Sequence, residues 1–165
     1  MFSSTVYGMN FEELIAKVGI YVASFVVGFV SGLVPFVNSE IYLVAISPVV
    51  ARHSLLPVAL LSALGQLFAK TILFYAGRGV FQIKMGKFES KIESVREKFE
   101  EWGNKADVLI LFSATVGMPP FYVVSFVAGA LKRLFITFFV AGLVGRSIRF
   151  VAIVYFPQLL LRYIS

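Results

Sequence analysis

The chain has 165 residues, of which 59% are hydrophobic and only 15% charged, with a mean hydropathy of +0.88 and a net charge of +6. Average domains carry about 45–50% apolar and about 25% charged residues, so disorder and an ordinary soluble fold are both excluded; a body this small cannot bury so much hydrocarbon. The absence of cysteine excludes disulfides, zinc-thiolate sites, Fe–S clusters and thiol nucleophiles, and a single histidine, His53, cannot build a metal site alone.

No metal or cofactor is therefore expected. The positive charge reads as loops facing anionic lipid headgroups, so the expected partners are membrane lipids with anionic headgroups and no nucleic acid.

Residues 1–10 contain no basic residue, unlike a signal peptide, and are expected to be retained. From residue 11 the chain reads as a helix lying at the interface. Residues 18–39 then carry no charge, but glycine, proline and polar residues interrupt them at 32–40, with Pro35 and Asn38 at the break. The expectation over 11–51 is an interfacial helix and a first re-entrant hairpin. Residues 54–78 read as a transmembrane helix.

Over 84–105 the composition changes. Phe88, Ile92, Val95, Phe99 and Trp102 recur at helical spacing, with Lys84, Lys91, Lys98 and Lys105 every seventh residue beside them. This pattern predicts an amphipathic linker helix whose lysines snorkel toward phosphates. A coiled-coil seam in a homo-oligomer would leave the same signature.

Residues 106–132 hold the most informative break, Gly117-Met118-Pro119-Pro120, in the middle of a charge-free run from 108 to 131. Two consecutive prolines remove two backbone donors and push the preceding residue out of the helical region. Each half reaches only ~16 Å, about half of a ~30 Å hydrocarbon core. That arithmetic predicts a second re-entrant hairpin, the alternative being one proline-kinked spanning helix. Residues 134–158 read as a second transmembrane helix.

The order hairpin, helix, linker, hairpin, helix predicts an all-α polytopic membrane protein forming one domain over 1–165. Its two opposed hairpins would make an inverted repeat, with irregular backbone lining a cavity. Counting basic residues on each side makes the 78–105 linker cytoplasmic.

Ionisable groups at membrane depth are costly and mark functional sites. Four qualify: Glu40 after the first break, Lys70 within the first spanning helix, and Arg146 and Arg149 within the second. The two arginines are three residues apart and share a helix face, which suits a phosphate held by guanidinium groups with Lys70 nearby. Glu40 either exchanges protons and gates, or pairs permanently with Lys70 or an arginine. No catalytic constellation is present, so an enzyme is not expected.

These residues resemble the DedA family, also called the SNARE-associated or VTT-domain membrane proteins. The stretch from Gly65 to Arg78, with Lys70, Tyr75 and Gly77, resembles that family's first spanning helix; Pro35 to Glu40 is similar to its first hairpin tip. Met118-Pro119-Pro120 with Ala128-Gly129-Ala130 is similar to the second hairpin, and Gly145-Arg146 with Arg149-Phe150 to the helix that follows. Within the family the chain is most similar to the short YqaA-type branch. It departs from the common pattern at Ser31 and Lys70, where acidic residues are usual, and at Ala114 and Thr115, where an arginine is usual.

The resemblance implies translocation of phospholipids or polyprenyl-phosphate carriers between leaflets of a prokaryotic cytoplasmic membrane, by a flippase or scramblase, in some members proton-coupled. The rival expectations are a proton-coupled transporter of ions or small cationic solutes, and a non-transporting scaffold.

Overall fold

The structure, a computed structural model, describes residues 11–34, 36–80 and 105–164. Pro35 and all of the predicted 84–105 helix except Lys105 lie outside the described residues. Among the described residues six helices follow one another: α1 (Phe11–Leu33), α2 (Ser39–Ile46), α3 (Arg52–Val80), α4 (Lys105–Val116), α5 (Phe121–Ala130) and α6 (Phe135–Ile164). Three stretches are long and apolar enough to cross a membrane, Ile15–Leu33, Arg52–Gly79 and Phe135–Pro157.

Local chemistry sets the helix ends. The Asn38 side chain accepts a hydrogen bond from the Glu40 backbone N–H at 2.8 Å, which caps α2 and places Glu40 at the favourable end of the helix dipole. α4 stops at Gly117, whose φ of +88° is left-handed, and α5 begins after Pro119 and Pro120, where missing N–H groups cost nothing. The Met118–Pro119 bond is cis, and the Ser113 hydroxyl closes the turn by donating to the Pro119 carbonyl at 2.5 Å.

Contact register gives the helix directions. Tyr21 meets Ser54, Gly28 meets Ser62 and Gly32 meets Gln66, so α1 and α3 run the same way. α2 returns against α1: Ser24 pairs with Tyr42, while Ser31 and Ser39 share Gln66. In the second half Gly145 meets Leu111 and Arg149 meets Thr115, so α4 and α6 run together. α5 doubles back, because Asp107 near the start of α4 lies 2.5 Å from Arg133 just beyond α5. Phe68 meets Phe139 and Phe74 meets both Phe135 and Phe138, so α3 and α6 are antiparallel.

At the register of Gly32 with Gln66, the end of α1 lies level with the middle of the 29-residue α3. The end of α4 is likewise level with Arg149, the middle of the 30-residue α6. The helix that begins at residue 11 runs unbroken to Leu33. Since α1 outruns the start of α3 at this register, its first turns project beyond that helix. His53 stands in the first turn of α3.

Packing is closest where glycine removes the side chain. A Cβ at Gly28 would strike the Ser62 carbonyl, and one at Gly65 the Phe25 carbonyl. Twelve residues further along α3 the arrangement recurs: Gly77 sits against the Phe126 carbonyl and Gly129 against that of Phe74. α3 therefore meets α1 and α5 backbone to backbone.

Two apolar cores result. One gathers Leu43, Leu55, Val58, Phe150 and Val154; the other gathers Leu67, Phe74, Ile110, Phe121 and Phe138, with Phe74 stacked on Phe138 at 4.7 Å. Ile15, Val18, Val22, Val26 and Val30 form an exposed stripe along α1, and Ile136, Val140, Val144 and Ile148 another along α6. Such outward apolar stripes suit hydrocarbon as the surrounding solvent.

Candidate functional site

α3 and α6 each pass from one core to the other, and the polar residues lie between the two. There the breaks 32–40 and 117–122 converge on a cavity of about 440 Å³. α3 contributes Gln66 and Lys70, α6 contributes Arg146 and Arg149, and Glu40 enters from the start of α2. Helix register explains the convergence, since Gln66 and Lys70 are four residues apart and Arg146 and Arg149 three.

Each long helix sends one cation to the carbonyl end of the helix it packs against. Lys70, only 6% exposed, donates from Nζ to the Gly32 carbonyl at 2.6 Å, beside the end of α1. Arg149 donates from Nη1 to the Thr115 carbonyl at 3.2 Å and to the Val116 carbonyl, at the end of α4. Terminal helix carbonyls lack intrahelical donors and carry the negative end of the dipole, so a buried cation there is doubly favoured. Arg149 also donates from Nε to Glu40 Oε1 at 2.6 Å, tying the start of α2 to the end of α4.

Arg146 has a different environment. It is 7% exposed, its guanidinium lies 5.0 Å from the Phe121 ring centre and 6.0 Å from that of Phe150, and its Nε has no hydrogen-bond partner. The aromatic faces stabilise the cation and hold its plane. They do not satisfy its Nε donor, and Arg146 lines the cavity. Among the described residues lining it, three cations face one carboxylate, and that carboxylate is already engaged by Arg149.

All four predicted ionisable residues thus meet in one place, as do Asn38 and Pro120 from the predicted breaks. Pro119 contributes its carbonyl to the Ser113 bond, and Pro35 lies outside the described residues. Of the two arginines proposed to share a phosphate, Arg149 is occupied by Glu40 and backbone carbonyls. The donors left for a ligand are those of Arg146 and the remaining protons of Lys70.

Charge-based reading of the sequence overlooked Gln66, Ser31 and Ser39 as lining residues, and Phe121 and Tyr122, whose rings lie near Arg146 and Lys70. Gln66 had a visible signal, an amide inside an otherwise apolar helix.

The model of the VTT domain matches residues 12–159 of the chain. No curated protein and no solved structure matches it.

Proposed function

The chain belongs to the VTT-domain (DedA) family of membrane proteins, and on that premise we propose that it is a lipid translocase carrying phosphate-bearing headgroups between leaflets. The cargo class is a phospholipid or a polyprenyl phosphate. The observation that carries this reading is the excess of cations around the cavity, above all Arg146, buried with an unsatisfied Nε. A buried cation that lacks a hydrogen-bonded carboxylate is expensive, and an anionic ligand is its natural complement.

In this reading α1–α2 and α4–α5 are re-entrant hairpins, and the two units, each followed by its long helix, form an inverted repeat. Support comes from the helix directions and from both chain breaks lying level with the middles of α3 and α6. The assignment to the YqaA-type branch belongs to the same reading. An incoming phosphate bound by Arg146 and Lys70 competes with Glu40 for Arg149, so Glu40 acts as the gate. Protonation of Glu40 would loosen the same link, which is where coupling to a proton gradient enters.

A cationic solute, the rival cargo, would face three cations. A scaffold leaves the unsatisfied Arg146 without a reason. Arg78, Lys105, Lys132 and Arg133 cluster at one end of the bundle and Lys17 and Arg52 at the other, which supports a cytoplasmic membrane location with the former end in the cytoplasm.

The test is headgroup translocation of fluorescent phospholipids and polyprenyl phosphate in liposomes containing the purified protein, with and without a pH gradient. Acceleration that is lost in Arg146→Ala/Arg149→Ala supports the reading, and dependence on the gradient separates a pump from a scramblase. No acceleration of any lipid overturns it.

A further inference from the structure

The cavity contains a second unsatisfied group, opposite in kind to Arg146. Gln66 is 8% exposed, and its side-chain carbonyl oxygen Oε1 has no hydrogen-bond partner. The orientation of this amide follows from its neighbours. The Ser31 hydroxyl donates its proton to the Gly28 carbonyl at 2.8 Å, so toward Gln66 it can only accept. The Gln66 nitrogen must therefore face Ser31, at 3.2 Å, and it also donates to Ser39 at 3.3 Å. With Nε2 placed toward both serine hydroxyls, Oε1 is the amide atom left without a partner. Gln66 lines the cavity one helical turn from Lys70, with this buried acceptor unpaired.

An acceptor in that position is matched by a ligand carrying an N–H or O–H close to its phosphate. We propose that Gln66 is a specificity-determining residue, accepting a hydrogen bond from the headgroup while Lys70 and Arg146 hold the phosphate. Headgroups bearing a donor, such as a primary ammonium or a hydroxyl, are then preferred over a trimethylammonium headgroup, which has none. A site that leaves a buried polar group unpaired discriminates against the ligand that fails to pair it. This inference rests on the lipid-translocation reading and adds to it the chemistry of the accepted headgroup.

The experiment compares phosphatidylethanolamine with phosphatidylcholine, matched in acyl chains, in the same proteoliposome preparation. Polyprenyl phosphate is run beside them. The wild type is expected to move the ethanolamine lipid about tenfold faster, the ratio that about 1.4 kcal/mol produces. In Gln66→Met, which keeps the length of the side chain and removes the acceptor, the ratio is expected to fall to about one. In Gln66→Glu, which keeps an acceptor, the preference is expected to persist. The ratio is read only from molecules that transport, so misfolded protein does not mimic the effect.

Equal rates for the two lipids in the wild type overturn the inference and leave lipid translocation standing. A ratio unchanged in Gln66→Met, or movement of polyprenyl phosphate alone, does the same. If no lipid moves, the reading beneath the inference falls with it.

Discussion

Arg149 and Glu40 are 109 residues apart in the chain, yet Arg149 Nε and Glu40 Oε1 are 2.6 Å apart, and the same guanidinium reaches the carbonyls of Thr115 and Val116. One side chain therefore ties the start of α2 to the end of α4. The pair is partly exposed, 24% and 31% by side chain, so solvent weakens its Coulomb component. The planar fork, which serves several acceptors at once, is what an ammonium cannot copy. Arg149→Lys is expected to lower the thermal midpoint in detergent by the equivalent of about 1–2 kcal/mol. An unchanged midpoint would mean that the breaks are held together by other contacts.

Arg146 should behave in the opposite way. With no carboxylate partner and an unsatisfied Nε, it adds little to the apo fold, and replacing a buried cation by an apolar side chain of similar size is often neutral or stabilising. Arg146→Met is expected to keep or raise the thermal midpoint while lowering lipid translocation at least about tenfold, the effect of losing a charge-assisted hydrogen bond. Circular dichroism melting and the liposome assay, run on the same preparation, separate the two effects. A large loss of stability would assign Arg146 a structural role.

The glycine contacts predict a sharp positional contrast within one turn of α3. Gly77 lies against the Phe126 carbonyl, whereas a Cβ at Gly79 would meet nothing. Gly77→Ala is expected to destabilise by about 1–3 kcal/mol, because backbone cannot yield as a side-chain tip can. Gly79→Ala should be neutral or slightly stabilising, since alanine is the better helix former. Equal midpoints for the two variants would refute the close approach of α3 and α5.

Membrane orientation can be read without background labelling, because the chain has no cysteine. Ala51 and Lys105 are both exposed and lie at opposite ends of the bundle. In intact cells, Ala51→Cys is expected to react with an impermeant maleimide and Lys105→Cys only after the membrane is opened. The reverse pattern would invert the proposed topology.

The large features of the fold were legible in the sequence because they depend on local rules. Paired prolines cannot continue a helix, and charges in an apolar run mark a polar interior, so the break at 117–120 and the cluster of Glu40, Lys70, Arg146 and Arg149 were readable. Partner choice was not. That Glu40 pairs with Arg149 and not with Lys70 is decided by the register of α2 on α6, set by the packing of Leu43 with Phe150 and Val154. Gln66 was missed because its importance depends on which way Ser31 spends its proton, a fact of three-dimensional neighbours. That α1 begins beyond the start of α3 depends on the register between the two helices, which the sequence does not display.

The paired glycines along α3 divide the described helices into two mechanical groups. α1, α3 and α5 touch through backbone atoms, and α6 seats closely on α4 at Gly145, where an added Cβ would strike the Ala114 methyl and the Leu111 carbonyl. Between the groups the joints are softer: Gly142 faces the tips of Leu67 and Phe121, the Phe74 and Phe138 rings stack, and Arg149 bridges to Glu40. Rings and side-chain tips can change rotamer, whereas a carbonyl pressed on an α-carbon cannot slide. The compliant seam therefore runs between α3 and α6, through the cavity, and the chain crosses it at the Gly117 turn and again between α5 and α6.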